Sequence, residues 1–166
     1  GDHRDLHSFP TRRSSDLNDS LRCYTLRKHR TVYGGGGIMP DVFVPLDTTQ
    51  YTAFHRQLVA RSLVINTTLR YVEDHRDELK TKYAKFDDYM KRFEVPQAMV
   101  DTLFAEAERQ KVKPRDDAER KRTLPMLRLQ LKALIARDIW DMNEYFRLMN
   151  EQNHIVSKAV EVITGK

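Results

Sequence analysis

The chain has 166 residues, 32% of them charged and 40% hydrophobic, with a formal net charge of +5 at pH 7. A chain of this length has room for a single core, and it contains no apolar run near the ~18 residues that a helical bilayer span requires. Its one cysteine, Cys23, excludes an internal disulfide framework and a Cys-based zinc site.

Residues 1–17 read GDHRDLHSFPTRRSSDL and resemble the in-frame translation of a common short-read sequencing adapter. They carry neither the apolar centre of a signal peptide nor a helical or strand period. They are expected to be artefactual and disordered. Removing them takes away three Arg and three Asp, so the net charge stays at +5.

From residue 18 to 46 the text is β-like. Cys23 to Leu26, Arg30 to Tyr33 and Asp41 to Val44 are short β-branched or aromatic runs, punctuated by Gly34 to Gly37 and by Pro40. Strands this brief bury little alone and need a larger sheet to pair with. The segment therefore reads as a strand-and-loop remnant of something bigger.

Residues 47–166 change to helical periodicity. Asp47, with Gln50 three positions on, is a candidate cap for a helix carrying Tyr51, Phe54 and Leu58 on one face. Ile65, Leu69, Val72, Leu79 and Tyr83 continue that spacing, with Glu73, Asp74, Arg76, Asp77 and Lys80 facing solvent. Phe86, Met90 and Phe93 predict a short helix ended by Val95-Pro96, and Pro96 suits the first turn of the next, with Met99, Leu103, Phe104 and Ala107. Pro114 and the charged residues 115–122 predict a turn and a solvated helical start, with Pro125 a kink or a restart near Thr123. Residues 124–150 carry one continuous apolar stripe from Leu127 to Met149. A last helix with Ile155, Ala159, Val162 and Ile163 is expected to return against it and end at Gly165. The fold class is thus mainly α, with a short strand region ahead of a helical domain.

Residue types able to do chemistry are few. Four glycines suggest a phosphate loop, but that loop needs a helix opening directly behind it; here Ile38-Met39-Pro40-Asp41 follows, and a proline disfavours a helical residue before it. No HExxH or other close ligand pair exists, so no metal and no cofactor are expected. His55 and His75 read as half-exposed surface residues. Asp138, Asp141 and Glu144 could form a carboxylate cluster, but on an amphipathic helix such acids commonly pair with neighbours such as Arg137 and Arg147. Outside residues 1–17 the serines are Ser20, Ser62 and Ser157, none in a nucleophile setting; Ser62 reads as a helix cap. Arg115, Arg120, Lys121, Arg122 and Arg128 alternate with Asp116, Asp117 and Glu119, so no single-sign stripe points to nucleic acid.

The text from Thr25 through Gly34-Gly35-Gly36-Gly37-Ile38-Met39-Pro40-Asp41 resembles the end of the protease domain in the carboxy-terminal processing peptidases, or tail-specific proteases of peptidase family S41, particularly Bacteroidetes forms. Their G-x-G-I-x-P-D signature is matched by Gly35, Gly37, Ile38, Pro40 and Asp41. Residues 130–140 are similar to the long helical extension of those members, and the resemblance spans residues 21 to 163. It implies a serine endopeptidase that processes proteins from their C-termini. An export or membrane anchor, a PDZ domain and an α/β core with a Ser/Lys dyad would all lie upstream, in a periplasmic or envelope-anchored parent. The family's serine and lysine motifs are absent, so no catalytic residue is carried over, and the five matched residues have only the structural role of seating the end of the core. The fragment alone is expected to be inactive. Its expected partners are the parent's own PDZ domain and core, protein substrates through the parent, and a second copy of itself, but not nucleic acid. Contact with a membrane would come only through the parent's N-terminal anchor. The competing reading is a helical interaction or oligomerisation module.

Overall fold

A computed structural model describes residues 22–29, 31–33, 42–45, 47 and 50–165. The chain divides into two compact units, Gly1–Phe43 and Val44–Lys166.

In the first unit, strands β1 (Arg22–Tyr24) and β2 (Thr31–Tyr33) pair antiparallel, with Cys23 opposite Val32. Their connection is tightened by His29 N–H donating to Thr25 O at 3.0 Å, with His29 at φ 45°. The expected run Asp41 to Val44 forms no strand over its described part, Val42 to Val44. Pro45 behind it has no N–H to donate to a ladder, and Phe43 is 71% exposed.

The second unit is helical. Its elements are α1 (Ala53–Ala60), α2 (Leu63–Lys82), α3 (Phe86–Arg92), α4 (Gln97–Arg109), α5 (Asp117–Ile139), α6 (Met142–Asn150) and α7 (His154–Thr164). The fold is therefore mainly α with a small two-stranded sheet. Among the described residues no helix is long and apolar enough to cross a membrane.

Helix α5 is the axis of the unit, with α1, α2 and α6 packed on it, while α2 also packs against α1 and α4. Four consecutive residues of α5, Ala133, Leu134, Ile135 and Ala136, are buried. One turn of helix spans 3.6 residues, so such a run has neighbours on every side rather than along one stripe. Leu58, Leu63, Val72, Val100, Leu103, Leu127 and Leu131 complete a core drawn from α1, α2, α4 and α5.

Several boundaries differ from expectation. Thr52, not Asp47, caps α1, its Oγ1 accepting from His55 N–H at 3.1 Å. Ser62 does stand at the N-cap of α2, but in a left-handed conformation (φ 58°) with no side-chain cap bond; it reverses the chain in the two-residue gap between α1 and α2. On α2 the buried line runs through Val64, Thr68, Val72 and Leu79, which leaves Leu69 exposed. Pro96 is the N-cap of α4 rather than its first turn. Helix α4 ends in a Schellman motif: Val112 N–H donates to Ala107 O at 2.8 Å, Lys111 N–H donates to Glu108 O at 3.0 Å, and Lys111 holds φ 59°. Buried Val112 and Ala107 supply the apolar contact that accompanies it.

The start of α5 is solvated as expected except at Glu119, which is buried, as is Thr123 one turn on. Pro125 neither ends nor restarts the helix, which runs through it. The predicted single stripe of residues 124–150 is instead two helices. The α5 backbone stops at Trp140, and Asp141 caps α6 by accepting from Asn143 N–H at 2.7 Å. The break lets α6 pack against α5 with Leu148 buried, while Met142 and Phe146 stay about half exposed. Helix α7 does end at Gly165 in the left-handed region (φ 68°), yet none of its residues is buried. The expected return against the preceding helix does not bury its apolar face.

Candidate functional site

The five signature residues Gly35, Gly37, Ile38, Pro40 and Asp41 lie outside the described residues. Of the serines, Ser62 is a backbone hinge and Ser157 is exposed on α7. Cys23 is exposed on β1. The acids Asp138, Asp141 and Glu144 are engaged structurally. Arg137 Nε pairs with Asp138 at 2.8 Å, Arg147 pairs with Glu144 at 3.1 Å, and Asp141 is a cap. Among the described residues no group of three His, Cys, Asp or Glu could hold a metal ion.

Two features that the sequence did not announce carry the polar chemistry of the helical unit. The first is a seam between α1 and α5. Glu119 Oε1 accepts from Phe54 N–H at 3.1 Å and Oε2 from Arg115 N–H at 2.7 Å, while its own N–H donates to Asp116 at 2.7 Å. These two backbone donors hold the Glu119 carboxyl below the usual carboxylate range. Thr52 and Thr123 share a hydroxyl contact at 2.6 Å. Farther along, His55 Nε2 meets Gln130 Oε1 at 2.7 Å. That oxygen can only accept, so the ring proton sits on Nε2 and Nδ1 is a buried lone pair with no partner. His55 is 1% exposed, against the expectation of a half-exposed surface residue. Burial lowers its pKa against the opposing pull of Gln130. Tyr51 and His55 pack T-shaped with ring centroids 5.2 Å apart. His75 is half-buried as expected, stacked on Tyr71 with Nδ1 at 2.9 Å from Tyr71 O.

The second feature is a groove of about 590 Å³ between α2 and α4, lined also by Phe93, Glu94 and Pro96 of the α3–α4 connection. Leu79, Tyr83, Phe93 and Met99 make its buried floor. Asp74, Glu78, Glu94 and Glu106 stand around it, against the cations Arg70 and Lys82. Glu106 is engaged by Arg109 and by Gln110 Nε2. Asp74, Glu78 and Glu94 form no ion pair among the described residues. Burial first, and then the charge of Glu78, raise the Tyr71 phenol at the groove wall.

Aromatic packing around α3 adjoins the groove through Tyr83 and Phe93. Tyr89, fully buried, stacks on Phe93 at 4.6 Å, meets Tyr83 edge-on at 5.5 Å and touches Trp140 at 5.1 Å. Its hydroxyl donates to Lys132 O at 2.9 Å. From α5, Lys132 Nζ reaches back to Met90 O and Arg128 Nη1 to Val95 O, each at 2.7 Å. The carbonyls on either side of Phe93 are therefore both tied to α5, which fixes the wall of the groove. Desolvation lowers the Lys132 pKa.

Residues 54–141 match a family of unknown function, DUF8443, over more than half of the chain. The chain belongs to that family. Its matched region runs from Phe54 in α1 to Asp141 at the cap of α6, and so contains the groove and all of the seam except Tyr51 and Thr52. No curated protein and no solved structure matches the chain.

Proposed function

We propose that this DUF8443 chain is the C-terminal section of a serine endopeptidase of the carboxy-terminal processing class, and that its helical unit is a non-catalytic brace for the protease core. The reading rests on the run Gly34-Gly35-Gly36-Gly37-Ile38-Met39-Pro40-Asp41-Val42-Phe43-Val44-Pro45, which resembles the closing signature of that protease domain immediately ahead of the helices. In this reading residues 18–46 end the core, and the nucleophilic serine and its neutral lysine base are supplied upstream, with a PDZ domain and an envelope anchor. The chain itself is inactive. A hydroxyl becomes a nucleophile only with a base within hydrogen-bond reach, and neither Ser62 nor Ser157 has a hydrogen-bonded base among the described residues.

Recovering the reading frame upstream of Asn18 at the source locus tests this directly. A PDZ domain and a Ser/Lys core in frame with Asn18 are expected. A start codon near Asn18 with no hydrolase core before it overturns the proposal, as does cleavage of an unfolded protein by the purified chain that survives repurification.

One observation favours a second reading, an interaction or self-association module. The apolar residues Ile155, Val160, Val162 and Ile163 of α7 are all about half exposed or more. Light scattering on the chain with and without residues 154–166 distinguishes the two. An unchanged monomer mass leaves the brace reading, and a dimer lost on truncation replaces it.

A further inference from the structure

Helix α1 has 8 residues. An isolated helix needs ~12–15 in water, so α1 owes its shape to what it docks on. It buries Phe54, His55 and Leu58. Three polar ties join α1 and its cap to α5: Phe54 N–H to Glu119, Thr52 to Thr123, and His55 Nε2 to Gln130. Behind α1 lies a hinge, because only Arg61 and Ser62 separate it from α2 and Ser62 is left-handed at φ 58°. The packing of α2 on α4 and α5, and of α6 on α5, does not involve α1. Of the three ties, the one at His55 is reversed by a proton. Its Nδ1 is enclosed with no hydrogen-bond partner, so protonation puts an N–H there with nothing to accept it and buries a charge with no counter-ion. The Gln130 amide from α5 and the ring of Tyr51 meet the imidazole, and neither is charged at neutral pH. The residues that the first turns of α2 bury, Leu63, Val64 and Thr68, carry no charge either. Among the charged groups of these elements, Glu119 is occupied by Phe54 and Arg115 N–H, and exposed Arg56 donates to Tyr51 O at 2.8 Å. Burial and Gln130 govern the ring's titration, with no charged neighbour contributing.

We propose that α1 is an acid-released latch: a proton on His55 detaches α1 from α5, and α1 turns out about the Arg61–Ser62 link while α2, α4, α5 and α6 stay folded. Release uncovers Phe54 and Leu58 together with the side of α5 that carries Thr123 and Gln130. The closed ring is less basic than a ring in the open chain, whose ordinary value is 6.5. Closed α1 therefore has its full advantage above pH 6.5 and loses it as the pH falls toward the closed value. Glu119 stays ionised down to the ordinary carboxylate range and below, so its bond to Phe54 N–H opposes release. Mild acid thus shifts the population toward open α1 rather than emptying the closed state. Nothing in the latch depends on a protease core upstream, since it uses only residues 51–130 of the helical unit.

Hydrogen exchange of the intact chain, read by mass spectrometry at pH 7.5 and 5.5 and corrected for intrinsic exchange rates, tests the latch. At both pH values the α1 amides are expected to have opening constants about tenfold or more above those of α4 and the centre of α5, the mark of an element that opens by itself. Acidification should raise the α1 opening constant by up to about tenfold, the limit for one proton taken up at an open-chain value of 6.5. His55→Gln, which has no proton to gain, should lose that pH dependence. A second variant, T52C/T123C on a Cys23→Ser background, uses the 2.6 Å contact between the two hydroxyls to tie α1 to α5. Its oxidised form should suppress α1 opening at both pH values relative to its reduced form. The parent chain and the tied pair decide the matter even where His55→Gln does not fold. Exchange of α1 at the rate of α4 and α5, no acid rise in the parent chain, a rise that persists in His55→Gln, or equal α1 opening in oxidised and reduced T52C/T123C would each overturn the latch.

Discussion

Glu119 Oε1 accepts the backbone N–H of Phe54 at 3.1 Å, joining the first turn of α5 to the first turn of α1 across 65 residues of sequence. A helix start leaves its first N–H groups without intrahelical partners and carries partial positive charge. One carboxylate here serves two such places, because Oε2 takes Arg115 N–H just ahead of α5. The same residue is thus a cap for its own helix and an anchor for another.

Removing that carboxylate should therefore cost more than a surface substitution. Glu119→Ala leaves two covered N–H groups unmet and is expected to lower stability by about 2–4 kcal/mol, while Glu119→Gln, which keeps one acceptor, should lose less. Urea unfolding at neutral pH measures both. The Glu119 carboxyl is depressed below its ordinary value of 4.5, so its contribution is complete above pH 4.5 and is lost as the pH falls through the lower folded value. An alanine variant that unfolds at the parent's urea midpoint would contradict the anchoring role.

His55 predicts a second acid sensitivity at higher pH. Its folded pKa lies below the unfolded 6.5, so the unfolded chain takes up a proton first. Stability from the neutral imidazole is complete above 6.5 and declines as the pH drops from there toward the folded value. The urea midpoint should fall between pH 7.5 and 5.5, and His55→Phe should flatten that slope whatever it does to the midpoint itself. A slope that persists in His55→Phe would assign the effect to another group.

Tyr89 should separate packing from hydrogen bonding at the groove wall. Tyr89→Phe keeps the stack on Phe93 and loses only the bond to Lys132 O, for an expected loss of about 1 kcal/mol. Tyr89→Ala empties a fully buried site and should lose about 3–5 kcal/mol. Thermal unfolding by circular dichroism gives the ratio; similar losses for the two variants would mean the ring contributes little.

Lys111 offers a gain. It sits at φ 59° after α4 in the motif where glycine is favoured, and its side chain forms no hydrogen bond or ion pair among the described residues that the substitution would break. Lys111→Gly should raise stability by about 0.5–1 kcal/mol by removing the left-handed strain, read as an increase in melting temperature. A decrease would show that the unfolded-state freedom of glycine outweighs it.

The helices themselves were legible in the text because periodicity is local: a spacing of four places Phe54 with Leu58, Met99 with Leu103, and Leu127 with Leu131, and all six are buried. Gly165 likewise announced the end of α7. What covers each apolar face was not local. Leu69 and α7 belong to apolar patterns yet face outward, while His55, Glu119 and Thr123 look polar yet are enclosed, because burial depends on which helix arrives from a distance. The charged run before α5 concealed a cap whose second function needs α1 beside it. The stripe of residues 124–150 concealed a break at Trp140 because two helices folded together and one long helix share the same apolar spacing. The groove had no signature at all, since its lining is collected from α2, α4 and the connection before α4. Sequence alone determined where the backbone can coil, through spacing, caps and prolines; tertiary structure decided which faces meet, because contact between helices is set by geometry that no single segment contains.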